Sequence, residues 1–438
     1  MGGSQMQLVA YGAQDIYLTG NPQMSFFKVV YRRHTNFSME AIQQGFEGHL
    51  TAEQSTLDAI LSKNGDLLYR MWLDVKMVSQ NASGNSATDV YSNWTNNTGH
   101  AFVKECGVEI GGQLIDHHYS QWLDVWNELT DHEESEWTGL NKNSAKNSYL
   151  QSDPLGANRP LQLYIPLQFW FCRNPGLALP LIALQYQVIK VKLTTRSMNG
   201  LINKKGMSIT PAAPTCDLYC DYIYLDTDER RRFAQVSHEY LIEQVQREKI
   251  VTNNGGILNL DLIFNHPVKE LIWTAQSPVL AEESTTSSGG DTDATKNASY
   301  AGLEVGGSNN DYFNYGYYGD KGTAEHIGAA NNPSYEAFDF MKLQLNGCDR
   351  FSKRKATYFR ICQPQQHGHK VPSKHIYCYS FALKPEEHQP SGTCNFSRID
   401  NVQMQFDTLP TDTAITVWAI NYNVLRIMSG MAGLSYSS

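Results

Sequence analysis

The sequence predicts an all-β protein made of two similar halves, and three observations carry that prediction. Period-two alternation of apolar and polar residues dominates, as in LLYRMWLDVKM (67–77), IKVKL (189–193) and VQMQF (402–406), the pattern of strands with one buried face. Asn64-Gly65, Asn254-Gly255 and Asn346-Gly347 punctuate such runs, supplying residues that tolerate positive φ at tight turns. The strand blocks also occur twice in the same order.

In the first half the blocks are 65–77, 108–122, 176–193 and 216–226. Their counterparts in the second half are 266–276, 343–359, 389–406 and 415–425. EIGGQLID and QLNGCDRF share a strand, a tight Gly turn and a polar continuation. Identities are few, so the repeat is structural rather than a literal copy. IPLQFWF (165–171) is continuously apolar, which predicts a strand buried on both faces.

Each half carries a long polar insertion between its first and second blocks, 79–101 and 277–337. Structureless loops of that length are uncommon unless functional or disordered, and their matching positions imply that both project from the same end. Four N-x-S/T sequons fall in them, at Asn81, Asn93, Asn96 and Asn297, and are the candidate N-glycosylation sites; two more, Asn36 and Asn395, lie beside expected strands. Asn-rich loops also generate such triplets by chance. Between the halves, DTDERRRFAQVSHEY (226–240) predicts a short helix capped by Asp226 or Thr227 with Asp228 and Glu229 in its first turn. Arg230–Arg232 would then face solvent or clamp the halves together.

Among 438 residues the net charge is −9 and charged residues make up 18%, which argues against a nucleic-acid partner, since duplex binders are basic over at least one domain. No run approaches the ~18 apolar residues of a membrane helix, and the start MGGSQMQLVAYGAQ carries no secretory signal. The eight cysteines (106, 172, 216, 220, 348, 362, 378 and 394) form no CxxC pair. All eight read as reduced, buried small hydrophobes.

No catalytic residue and no cofactor site emerges. GxSxG, GxxxxGK[ST], HExxH and GxGxxG are all absent. His117-His118 point to opposite faces of a strand, a poor ligand geometry, and His367-Gly368-His369 lies in a Gln-rich loop with no carboxylate nearby in sequence. DHEESE (131–136) reads as a solvated acidic turn or helix start.

Leu18–Phe37, LTGNPQMSFFKVVYRRHTNF, admits a phosphate loop or a turn leading into a first strand. Without a following helical pattern the phosphate loop fails. Gly20-Asn21-Pro22 then turns an N-terminal arm (1–26) into a strand at Phe26–Tyr31, and Arg32, Arg33 and His34 make interchain or inward-facing contacts.

Several long blocks now resemble one family. LVAYGAQDIYLTGNPQMSFFKVVYRRHTNF (8–37), NPGLALPLIALQY (174–186), YIYLDTDERRRFAQVSHEYLIEQ (222–244), LKPEEHQPSGTCNFSRIDN (383–401) and NYNVLRIMSGMAGL (421–434) are similar to the major capsid proteins of nucleocytoplasmic large DNA viruses, those of algal, chlorella-type viruses above all. The departures lie in the two insertions and around 130–160. The resemblance implies two consecutive eight-stranded jelly rolls with long inserted loops and a short inter-domain helix. Its expected boundaries are 1–26 for the arm, 27–226 for the first jelly roll, 227–238 for the linker and 239–438 for the second. It further implies a non-enzymatic shell protein without cofactor that forms a homotrimer. Such trimers tile an icosahedral virion over an internal membrane, are assembled in the host cytoplasm, touch minor capsid proteins through the arm and hold no specific nucleic acid. Two rival readings stand beside it, a minor paralogous capsid component and a carbohydrate-binding or carbohydrate-active jelly roll, the latter suited by aromatics in NYGYYGD (314–320).

Overall fold

The computed structural model describes residues 2–23, 29, 31–77, 79–81, 91–95, 97–130, 161–205, 209–252, 256–276, 312–313, 315, 336–409 and 413–436. They form two units, Met1–Phe37 and Ser38–Ser438.

In Met1–Phe37 a helix Gly3–Val9 is followed by a 3-10 turn Ala13–Asp15 and a helical turn Ile16–Thr19, none with a buried residue. Asn21 has φ 50°, so the expected turn at Gly20-Asn21-Pro22 is present. The expected strand Phe26–Tyr31 lies mostly outside the described residues. Val29 and Tyr31, which are described, are exposed and not in a strand. The first strand is Phe37–Gln44.

In Ser38–Ser438 the main strands fall into two sandwiches. The first contains Phe37–Gln44, Thr56–Ile60, Leu67–Met77, Val103–Ile110, Gln113–Tyr119, Leu161–Pro166, Ile189–Thr195 and Thr215–Leu225. The second contains His238–Thr252, Gly256–Asp261, Pro267–Gln276, Phe340–Leu345, Cys348–Asp349, Ile376–Ser380, Val402–Leu409 and Thr413–Met428. Numbered one to eight along each half, the strands are ordered one-eight-three-six in one sheet and two-seven-four-five in the other, in both halves. That is the jelly roll, and the chain holds it twice in tandem.

The corresponding hairpins agree in detail. Gly111 and Gly112 have φ 59° and 84°, and Asn346 and Gly347 have φ 49° and 76°. Both turns place two consecutive residues in the left-handed region, matching the twist of the flanking strands, and they join Ile110 to Gln113 and Leu345 to Cys348.

Helices occupy two junctions. Thr227–Gln235 links the halves and is capped by the Asp226 carboxylate, which accepts from the Thr227 amide at 2.8 Å. Arg230 Nε lies 3.0 Å from Asp66 Oδ1, tying this helix to the first sandwich, while Arg231 and Arg232 are exposed. Ser120–Thr130, between strands five and six, was not expected from the strand pattern. Trp122, Val125, Trp126 and Leu129 share one face at helical spacing and are buried. The second half has a helical segment at the same place, Tyr358–Cys362 followed by Gln363–His367.

Two further expectations need correction. IPLQFWF is not one strand: the strand ends at Pro166 and Trp170–Arg173 is a helical turn, although Ile165, Leu167, Phe169, Trp170 and Phe171 are buried. A Pro at that point removes the next ladder donor and lets the chain turn into the core. Cys348 and Cys362 are exposed, and Cys216 and Cys394 partly so, so only Cys106, Cys172, Cys220 and Cys378 are buried core residues. All eight are free thiols.

Two-sided burial occurs elsewhere. Thr413–Met428 and Pro267–Gln276 are buried at nearly every position rather than at alternate ones. One face of their sheet packs in the second sandwich, with Trp273, Val417 and Ala419 beside Met404 and Phe406. The opposite face presents Ile272, Trp418 and Ile420 to the core that includes Trp122 and Phe169 of the first half. The second sandwich thus uses its sheet as a wall shared with the first.

Candidate assembly core at the junction of the sandwiches

The residues that lock the two sandwiches together fix how the surfaces of both halves are held, so they form the candidate functional centre. Three buried polar groups do so, each crossing from one half to the other or bracing that contact.

The first is built on Asp124, in the helix Ser120–Thr130. Its carboxylate accepts from Lys374 Nζ at 2.7 and 2.8 Å, from the Tyr315 hydroxyl at 2.9 Å and from Asn97 Nδ2 at 2.8 Å. Asp124 is 1% exposed, yet four hydrogen bonds compensate its lost hydration. Asn97 Nδ2 also lies 2.8 Å from His100 Nδ1. Burial, and the nearby Lys374 charge, push His100 down to about 3, so it is neutral and can accept that bond.

The second centres on Glu243 of strand one in the second half. Lys269 Nζ lies 2.6 Å from Oε1, Arg173 Nη1 of the first half 3.0 Å from Oε2, and His388 Nδ1 3.8 Å from Oε1. Arg173 also lies 4.4 Å from the Trp126 ring centroid. Burial alone would raise the Glu243 pKa, but His388, Lys269 and Arg173 outweigh it and hold the group at about 2.

The third is Glu270–His369–Glu386. His369 Nε2 lies 2.9 Å from Glu270 Oε1 and Nδ1 lies 2.7 Å from Glu386 Oε1. Burial opposes protonation, but the two carboxylates prevail and raise His369 to about 9. With a carboxylate at each ring nitrogen, the imidazolium has no lone pair for a metal. The absence of carboxylates near this His pair, expected from sequence, is corrected: the partners come from 99 and 17 residues away. His367 instead lies 3.2 Å from the Leu383 carbonyl.

Around these groups the contact is continuous. The Lys370 amide donates to Leu129 O at 2.9 Å, Ser373 N to Glu128 Oε1 at 2.8 Å, and Gln121 Nε2 to Gln276 Oε1 at 2.7 Å. Gln187 clasps Ala432 through both backbone groups at 2.6 and 3.1 Å. Trp122 and Trp418 face each other with centroids 6.1 Å apart.

The other candidates are placed as follows. His118 is buried, with Nε2 2.8 Å from Asp116 Oδ2, while His117 is half-exposed and 3.7 Å from Glu105; they face opposite sides as expected. Asn96 and Asn297 lie outside the described residues, as do DHEESE and Tyr317. Asn81 and Asn93 fall in the short strands Ser79–Asn81 and Tyr91–Trp94. These strands pair with Ile209–Pro211 and Ile202–Lys205, so the first insertion is not structureless throughout. Of the aromatics in 314–320 read as a sugar platform, Tyr315 is corrected: it is 1% exposed and serves the junction beside the buried Tyr312 and Phe313, while Tyr318, like Tyr317, lies outside the described residues. A buried ring cannot stack on a saccharide.

Comparison with known proteins agrees with this architecture. A family described as "Large eukaryotic DNA virus major capsid protein" matches residues 229–433, and one described as "Major capsid protein N-terminus" matches 25–226. The major capsid protein of Pyramimonas orientalis virus is 44% identical over 461 residues, covering 100% of both chains. The chain belongs to the major capsid proteins of large eukaryotic DNA viruses. The major capsid protein of Paramecium bursaria Chlorella virus 1 is 39% identical over 476 residues, again with 100% of each chain covered. A quasi-atomic structure of the PBCV-1 virus capsid superposes with TM-score 0.72 at 34% identity, covering 94% of this chain and 100% of that one. This capsid protein is therefore a structural component of the virion, not an enzyme, and assembles with itself into a capsid.

Proposed function

We propose that three copies of this capsid protein form a homotrimeric capsomer of pseudo-hexagonal outline that tiles an icosahedral shell. The observation that carries the reading is the repeated one-eight-three-six and two-seven-four-five strand order in two sandwiches locked through a shared wall. Three copies of such a pair present six similar corners, which suits a closed threefold ring packed in a hexagonal array. In this reading residues 1–26 are an arm, 27–226 and 239–438 the two jelly rolls, and 227–238 the linker. Light scattering on the purified protein tests it: a particle of three chain masses is expected, and a monomer at micromolar concentration would overturn it.

The arm is proposed to face the shell interior, above an internal membrane, and to bind minor capsid proteins during assembly in the host cytoplasm. Supporting this, Leu8, Tyr17 and Leu18 are 83–90% exposed, an apolar display that calls for a cover. Deleting residues 1–26 is expected to leave the trimer mass unchanged while lowering the yield of closed shells. Loss of the trimer itself would contradict it.

A further inference from the structure

Among the described residues, one cationic cluster at the junction has no counter-ion. Arg196 follows strand seven of the first sandwich, and Arg247 and Lys249 sit two residues apart on His238–Thr252, which places their side chains on one face of that strand. The Arg247 guanidinium lies 3.3 Å from the Tyr119 ring centroid, and that of Arg196 lies 3.7 Å from the Tyr312 centroid. Arg196 Nε also donates to the Ala101 carbonyl at 2.9 Å. Arg196 is half-buried and Arg247 and Lys249 are exposed, and among the described residues none of the three forms an ion pair.

The charges feel one another. Partial desolvation, then Arg247 and Arg196, all lower the Lys249 pKa, and no acid offsets them. Glu105, on the neighbouring strand Val103–Ile110, lies 3.7 Å from His117 instead. His117 is itself held below its usual range, by burial first and with Arg247 acting against Glu105. A chain of net charge −9 thus keeps three repelling cations together, with both guanidinium planes already oriented by aromatic rings. Arg196 and Arg247 are thus preorganised for an anion, with little side-chain freedom left to lose on binding, and the exposed Lys249 adds a third charge beside them.

We propose that Arg196, Arg247 and Lys249 form a site for an oxyanion of the phosphate class, either inorganic phosphate or a phosphate monoester. A tetrahedral group of charge about −1.5 to −2 offers three acceptor oxygens, matching two guanidinium edges and one ammonium. A duplex backbone is disfavoured, since three charges on a chain of net −9 provide no extended basic track.

The test measures thermal midpoints of the full-length protein in increasing sodium phosphate, with sodium chloride and sodium acetate at matched pH and ionic strength. A saturable rise is expected in phosphate, none in chloride, and one needing at least tenfold higher concentration in acetate. Lys249→Met should raise the half-effective phosphate concentration at least tenfold. Arg247→Lys, which keeps the charge but loses the planar fork, should weaken the response too and serves if the first variant does not fold. Phenyl phosphate added at fixed low concentration separates the two sources: competition with inorganic phosphate marks a site open to monoesters, and its failure confines the site to the free ion. Equal responses to phosphate and chloride, an acetate response matching phosphate, or variants that respond like wild type would overturn the proposal.

Discussion

Asp124→Ala is expected to destabilise the protein by about 3–5 kcal/mol, the cost of breaking a buried ion pair by removing one partner. The carboxylate neutralises Lys374 and receives the Tyr315 hydroxyl and the Asn97 amide. Alanine leaves a cation and two donors without their acceptor where water has little access. Because these groups come from both halves, the loss falls on the junction, and the urea midpoint should drop. Asp124→Asn, which keeps one acceptor, should cost less. If Asp124→Ala unfolds at the wild-type midpoint, the junction is not the stabilising centre described above.

Stability should peak near pH 6.5 and fall on both sides. His369 is raised to about 9, so its contribution is complete below pH 6.5 and disappears as pH rises towards 9, a loss of about 3 kcal/mol. His100 is lowered to about 3, so its neutral, buried state is increasingly disfavoured as pH falls below 6.5, again by about 3 kcal/mol at pH 4.5. Burial lowers His266 in the same direction. Glu243, held at about 2, adds a further loss below pH 4.5. Denaturation midpoints at pH 4.5, 6.5 and 9 measure this directly. A His369→Gln variant should flatten the alkaline limb alone, and an unchanged limb would remove the Glu270–His369–Glu386 cluster from the account.

Much of the architecture was legible in the sequence. The four pairs of matching blocks correspond to strand three, the four-five hairpin, the approach to strand seven, and strand eight in each half, because alternation and Gly turns are local signals. The linker helix was legible for the same reason, through Asp226 and the first-turn acids. Ser120–Thr130 was missed because SQWLDVWNELT also reads as a strand continuing from LIDHHY, and its helical spacing matters only once a core faces it. The junction was illegible for a different reason. Asp124 and Lys374 are 250 residues apart, and His369 and Glu270 are 99 apart. A usable hint was present: Lys269-Glu270, Glu243 and Asp124 are charges set inside otherwise apolar runs, where an unpaired ion would be too costly to keep.

The shared wall has an evolutionary consequence. A β sandwich that met its twin as a separate chain could keep a wettable outer face and survive dissociation. Once Trp418, Ile420 and Ile272 came to serve both neighbours, that freedom ended. The C-terminal half, released on its own, would bare an oily surface and clump, so the two halves hold together only as one chain.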